Sequence, residues 1–302
     1  MHDIIVIGGG PAGMTAALYA KRAGKSVLLI EKNTFGGQIT WSHKVENYPA
    51  ISSLSGLEWG DQMFSQIEAL GVEYELDEVT SITKKDDLFT LTTAFGAIYE
   101  AKAIILATGA KPKRLGLEGE EDYIGCGISF CAVCDGEFYR QKDVAIIGGG
   151  NTALGEALYL ADICRSVTLI VRRDSYRADL PLVDAISKRD NIRQVMSARV
   201  SALHGQETLS GVTLTYADGK SELMALDGLF IAIGHSPENE LFSGLIALTE
   251  DGYANADETC ATITPGVFVA GDCRQKQVRQ LTTAVSDGTI SALAACRYID
   301  HL

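Results

Sequence analysis

Cys131-Ala-Val-Cys134, followed directly by Asp135-Gly136, is the segment best equipped for chemistry. Two thiols at this spacing can close a small disulfide ring and reopen it without large backbone movement, and one of them can be activated as a thiolate. Such a pair can relay electrons. Asp135 beside it is placed to protonate a departing thiolate or deprotonate an incoming thiol, if burial raises its pKa. The same spacing is also half of a zinc ribbon, and Cys126 lies close by. A closed zinc site wants a second Cys-x-x-Cys or a suitably spaced histidine pair, whereas His2, His43, His204, His235 and His301 are dispersed. A plain structural disulfide is the other alternative, and a reducing compartment would not maintain it.

A relay needs elements to hold it. With 302 residues, 46% of them hydrophobic, the chain is long enough for two domains with separate cores. A pattern of strand, glycine turn, helix and strand occurs twice. The first copy runs Asp3 to Glu31 through Gly8-Gly9-Gly10-Pro11-Ala12-Gly13; the second runs Asp143 to Arg172 through Gly148-Gly149-Gly150-Asn151-Thr152-Ala153. Each copy leads into short alternating strands, near Val79 to Tyr99 and near Val200 to Ala225, and returns to an apolar strand ending at Gly109 or Gly234. A third such strand, Gly266 to Asp272, and a helical tail from about Thr283 to Tyr298 come after the second unit has finished, and most simply rejoin the first. The expected fold is α/β, with two Rossmann-like, three-layer ββα dinucleotide-binding domains, one inserted in the other.

The glycines of such a turn permit a tight bend, close approach of backbone to a pyrophosphate, and close packing of helix on strand, while the helix N-terminus offers free N–H groups to phosphate. Gly8, Gly10 and Gly13 fit that requirement, and Glu31 ends the second strand where a ribose-binding acid belongs. The second turn has Gly148, Gly150 and a still-small Ala153. Its ribose position carries Arg172, followed by Arg173 and Arg177. A carboxylate there would repel a 2′-phosphate, whereas guanidinium groups bind it through paired charge-assisted hydrogen bonds, so the second site favours NADPH over NADH. Two dinucleotide folds of unlike charge read as a flavoprotein that takes hydride from a nicotinamide. The fold by itself does not choose the reaction.

Taken together, these motifs resemble the low-molecular-weight, prokaryotic-type thioredoxin reductases, class II pyridine nucleotide-disulfide oxidoreductases, over essentially the whole chain. Further matches are Gly36-Gly37-Gln38, Val45-Glu46-Asn47-Tyr48-Pro49, Ala107-Thr108-Gly109-Ala110, Gly234-His235-Ser236-Pro237, Gly271-Asp272 and Arg279-Gln280. The resemblance implies FAD held by Gly8, Gly10, Pro11, Ala12, Gly13, Glu31, Lys32, Gly36, Gly37, Gln38, Asn47, Thr108, Gly109, Gly271, Asp272, Arg279 and Gln280. It implies NADPH on Gly148, Gly150, Asn151, Thr152, Ala153, Arg172, Arg173 and Arg177. The FAD-binding domain would then comprise residues 1–112 and 242–302, and residues 113–241 would form the NADPH domain carrying the cysteine pair. Cys134 would face the flavin and open the thioredoxin disulfide, Cys131 would resolve the mixed disulfide, and Asp135 would serve as acid/base. A homodimer with a rotating NADPH domain is implied as well. Two departures stand out: Val171 where the family often has histidine, and Gly155 where glutamate is common, which loosens the helix slightly.

The net charge of −13 disfavours nonspecific contact with nucleic acid or anionic membrane. No apolar run is long enough to span a bilayer, and the N-terminus has no features of a secretion signal, so a cytoplasmic location is expected. The acceptor is expected to be a separate molecule: thioredoxin, a glutaredoxin-like carrier or another small dithiol protein. Cys126, Cys164, Cys260, Cys273 and Cys296 lack disulfide-framework spacing and are expected to be free thiols, mostly buried. Rival readings are a ferredoxin/flavodoxin-NADP reductase, which has no need of the cysteine pair; a dithiol oxidase, which has no need of the arginines; and a zinc-stabilised nucleotide sensor. Replacing Arg172 and Arg177 should raise KM for NADPH far more than for NADH in steady-state assays. Equal effects on both would defeat the phosphate-reader assignment.

Overall fold

The computed structural model describes residues 1–42 and 44–302, leaving His43 outside the described residues. The chain forms two compact units, Met1–Lys111 with Ser236–Leu302, and Pro112–His235. The first opens with β1 (His2–Ile7), α1 (Pro11–Arg22) and β2 (Val27–Glu31), then α2 (Gly56–Ala69), β3 (Glu73–Leu76), β4 (Val79–Lys85), β5 (Leu88–Thr93) and β6 (Ile98–Leu106). β7 (Ala110–Pro112) carries the chain into the second unit, which holds β8 (Ile128–Ser129), α3 (Ala132–Asp135), β9 (Asp143–Ile147), α4 (Asn151–Ile163) and β10 (Ser166–Val171). It continues through α5 (Leu180–Ser187), β11 (Ile192–Met196), β12 (Ala198–Gly205), β13 (Leu209–Tyr216), β14 (Ser221–Ala225) and β15 (Gly228–Ile231). β16 (His235–Pro237) leads back to the first unit, completed by β17 (Val267–Val269) and α6 (Leu281–Asp300).

In the first unit, β3, β2, β1 and β6 lie side by side in parallel, with β17 parallel to the C-terminal half of β6 and the β4–β5 hairpin antiparallel to its N-terminal half. The unbroken apolar run of β1 follows from burial on both faces. Ile4 and Val6 join Leu29, Ala16, Ala17 and Ala292 in a helix-side core, while Ile5 and Ile7 meet Val79, Phe89 and Leu91 on the other side. The second unit repeats the plan. Its parallel sheet has the order β11-β10-β9-β15-β8, with Val144 and Ile146 facing Leu154, Ala157 and Leu160, and Ala145 and Ile147 facing the antiparallel β12-β13-β14 layer. Both units are therefore three-layer ββα folds, as the repeat predicts.

The second boundary is a correction. Residues 236–241 were expected with the second unit, yet they group with the first. Glu238 bonds the ammonium groups of Lys32 and Lys111, each at 2.7 Å, and the Asn239 amide donates to the carbonyls of Gly252 and Cys273 at 3.0 and 2.8 Å. These contacts join sequence-distant residues and leave no local pattern.

In both units the glycine turn lies at the C-terminal end of a central strand flanked by parallel strands on each side, the switch point where such sheets bind ligands. A Cβ at Gly13 would lie 1.8 Å from the Gly8 carbonyl oxygen, so helix and turn meet backbone to backbone. Gly150 is different, since a Cβ there would meet nothing within 4 Å. Gly13→Ala should cost about 1–3 kcal/mol from overpacking, read as a lower urea midpoint, whereas Gly150→Ala should leave the midpoint nearly unchanged. Equal midpoints for the two variants would contradict the close-contact account.

Candidate active site

Cys131 and Cys134 are joined in a disulfide, with Cα atoms 5.3 Å apart. Cys131 caps α3, and the Cys134 N–H donates to its Sγ at 3.2 Å. That short turn is why the pair closes locally. Ser129, the last residue of β8, donates through Oγ to the Asp135 carboxylate at 2.6 Å and accepts the Cys131 N–H at 3.1 Å. One hydroxyl thus ties the acid to the backbone of the first cysteine. Among the described residues no cluster of three or more His, Cys, Asp or Glu could hold a metal. Among the described residues the other five cysteines form no disulfide; Cys126 is half-buried and Cys164, Cys260, Cys273 and Cys296 are buried.

The sequence reading missed Glu156. It follows Ala153 by three residues and precedes Leu160 by four, both fully buried, so it lies along the apolar stripe of α4. Its carboxyl accepts the Ala132 N–H, burial raises its pKa to about 7, and its Oε2 is shielded with no hydrogen-bond partner. An acid at helical spacing among apolar residues was the available signal.

Around the first glycine turn, Gly10 caps α1 in an extended conformation with no side-chain cap bond, leaving backbone donors at the helix start for an anion. The Glu31 carboxylate accepts from the N–H of Gly9 at 2.6 Å and of Asn33 at 2.8 Å. It braces the turn, and its spare lone pairs can still accept from ligand hydroxyls. Gly36 donates to the Gly9 carbonyl, and Gly37 packs on Gly10, where even a Cβ would come to 3.0 Å of the Gly10 Cα. Gln38 donates to the Ala110 carbonyl at 2.7 Å, Asn47 donates to Gln280 at 3.4 Å, and Thr108 donates to Asn239 at 3.3 Å. Gly109 takes a positive φ of 70°. Lys32 faces Glu238 and Glu78 in ion pairs.

Asp272 and Arg279 provide the test of fit for a bound dinucleotide. The Oδ1 of Asp272 and the Nε of Arg279 are buried without hydrogen-bond partners, and burial pushes the Asp272 carboxyl up. Orphaned buried polar atoms of this kind call for a ligand's polar groups. Arg279 also lies over the Tyr253 ring, 4.3 Å from its centroid, and Gln280 caps α6. Beneath the Gly271-Asp272 turn, Asp287 accepts the Gly271 N–H at 3.0 Å, a two-pronged contact from Arg274 at 2.8 and 2.9 Å, and the Lys276 ammonium at 2.7 Å. No local spacing pattern announces this charge cluster.

The second glycine turn leaves α4 equally uncapped by a side chain, with Gly150 extended at its N-cap. Ala153 is fully buried with its Cβ close to Gly148, which accounts for alanine in the third position. Asn151 exchanges hydrogen bonds with Asp179, and Thr152 stays exposed. The Arg177 N–H donates to the Gly149 carbonyl at 2.7 Å, fixing the arginine loop against the turn. Arg172, Arg173 and Arg177 are exposed and form no ion pair among the described residues, unlike Arg140, Arg165, Arg189, Arg193 and Arg274. Val171 is buried against Gly149 and serves the core. Gly155 has open space where a side chain would go.

Asp287→Asn should cost about 3–5 kcal/mol, because Arg274, only 2% exposed, loses its buried carboxylate and keeps only the exposed Glu258 at 3.2 Å. Its neighbours hold the Asp287 pKa below the usual carboxylate value. The stabilisation should therefore be complete above about pH 4 and vanish as pH falls through the depressed folded value. Matching acid-unfolding curves for wild type and variant would contradict this.

Comparison with known proteins gives a consistent picture. The family model described as pyridine nucleotide-disulphide oxidoreductase matches residues 2–288. Thioredoxin reductase of Listeria innocua is 38% identical over 304 residues, covering 100% of this chain and 95% of its own. A bifunctional thioredoxin reductase/thioredoxin of Mycobacterium leprae is 39% identical over 302 residues, covering 99% of this chain and 66% of that longer one. The crystal structure of thioredoxin reductase from Streptococcus pyogenes superposes with a TM-score of 0.95 at 38% identity, covering 100% of this chain and 99% of that one. The chain belongs to the pyridine nucleotide-disulphide oxidoreductases and, within them, to the thioredoxin reductases.

Proposed function

We propose that this chain is an NADPH-dependent flavoprotein that reduces the disulfide of thioredoxin or a similar small dithiol protein through Cys131 and Cys134. The closed Cys131–Cys134 disulfide, with Asp135 tied to it through Ser129, carries the reading. When bound, FAD and NADPH supply two-electron transfer from nicotinamide to disulfide. The first unit suits the flavin nucleotide: the α1 N-terminus would hold its pyrophosphate, Glu31 would accept from ribose hydroxyls, and Asp272 and Arg279 would gain partners for their orphaned atoms. The unpaired arginines of the second unit suit the 2′-phosphate of NADPH.

Two electrons break the S–S bond; with one proton taken up, they leave one thiol and one thiolate. By resemblance to the family, Cys134 attacks the partner disulfide, and Cys131 then displaces the partner's second thiolate, closing the Cys131–Cys134 bond again. Asp135 holds or gives the proton that these steps exchange. The fused relative from Mycobacterium leprae, named as both reductase and thioredoxin, supports thioredoxin as partner. A cytoplasmic homodimer belongs to the same reading; no described helix is long and apolar enough to cross a membrane.

NADPH-dependent reduction of purified thioredoxins should be lost in Cys131→Ser and in Cys134→Ser, while NADPH still bleaches the flavin in both. Full turnover in either variant would sink the mechanism.

A further inference from the structure

Behind the cysteine pair, Glu156 has no role in the steps described so far. It reaches from α4 to the first turn of α3, where it accepts the Ala132 N–H, one residue from Cys131. The same turn supplies the Cys134 N–H to the Cys131 Sγ at 3.2 Å. A carboxyl and a redox sulfur are therefore held by neighbouring donors of one short turn. The carboxyl's other oxygen is buried and unpartnered. Among the described residues no cation faces it from the elements packed on α4. In α3, Asp135 bonds Ser129; in the 3-10 turn Gly136–Tyr139, Glu137 pairs with Arg140 and Tyr139 is pushed up to about 12. Asp143 of β9 pairs with Arg165, Asp184 of α5 with Lys188, and its capping Asp179 with Asn151, while β10 has no titratable side chain. On α4 itself Asp162 pairs with Arg189, and Tyr159 is the other titratable side chain.

We propose that Glu156 is a positioning residue for the disulfide chemistry, whose charge state governs how readily the reduced Cys131–Cys134 pair carries a thiolate. Reduction by two electrons and one proton leaves a thiolate on the half-buried turn whose Ala132 N–H Glu156 accepts, and two negative charges held on one short turn repel. The coupling is reciprocal: the new thiolate makes Glu156 hold a proton from solvent more tightly, and an ionised Glu156 makes the thiols release theirs less readily. Burial raises the Glu156 pKa to about 7, so the exchange operates near neutral pH. This inference rests on the redox role proposed for the pair.

The test uses the full-length flavoprotein reduced with dithiothreitol, with alkylation of Cys131 and Cys134 followed across pH by mass spectrometry. It involves neither NADPH nor thioredoxin, so its failure is distinct from a failure of thioredoxin turnover. Glu156→Gln keeps an acceptor for the Ala132 N–H but removes the charge. It should move the thiol midpoint down by as much as about one pH unit, a roughly tenfold faster alkylation at pH values above the Glu156 pKa and below that midpoint, with the two profiles merging at lower pH where Glu156 is neutral. Glu156→Asp should restore a pH profile with a carboxyl inflection. Superimposable profiles for wild type and Glu156→Gln would overturn the proposal. If Glu156→Gln does not fold, infrared difference spectra of the wild type decide: reducing the disulfide at pH 7 should increase protonated-carboxyl absorption, and an unchanged band would overturn it.

Discussion

Contact between backbone and backbone at the strand ends is the constraint from which both nucleotide turns follow. In the first unit, Gly8 lies on the Ala107 carbonyl, Gly13 on the Gly8 carbonyl, and Gly288 of α6 on the Ala12 carbonyl; a Cβ at these positions would come within 2.3, 1.8 and 2.3 Å of those oxygens. Three segments distant in sequence meet without side chains between them. This closeness keeps the N-terminus of α1 open at the sheet edge and carries the Gly271-Asp272 turn to the same place. The second unit repeats the contact at Gly148, where a Cβ would lie 2.5 Å from the Ala232 carbonyl oxygen.

Electrostatics then distinguishes two otherwise similar turns. The first keeps a carboxylate, Glu31, bonded to its own backbone, and a buried acid, Asp272, lacking a partner within the described residues. The second holds exposed arginines on a loop pinned to the glycine turn by the Arg177 N–H. In a chain of net charge −13, three arginines without carboxylate partners among the described residues are an uncompensated feature of the surface, of the kind the proposed NADPH 2′-phosphate would neutralise.

Much of this was legible in the sequence because it depends on local rules. Glycine spacing, Glu31 against Arg172, and Cys131 with Cys134 can each be read within a few residues, and the repeat of Asp3–Glu31 in Asp143–Arg172 supplied the architecture. The regular structure between Glu31 and Val79 was not anticipated, although Ser55 and Glu58 form the capping box that starts α2. The Asp287–Arg274–Lys276 cluster and the boundary at Ser236 are tertiary. They exist only once distant residues meet, and no local pattern announces them.

In the proposed reaction, reducing equivalents from NADPH end on one specific sulfur pair, Cys131 and Cys134. Anaerobic titration of the flavoprotein with NADPH, followed by acid quenching and mass-spectrometric mapping of newly alkylated thiols, tests it most directly. New thiols should appear at Cys131 and Cys134 in step with NADPH consumed, and none elsewhere. A bleached flavin with the Cys131–Cys134 disulfide still closed would contradict it.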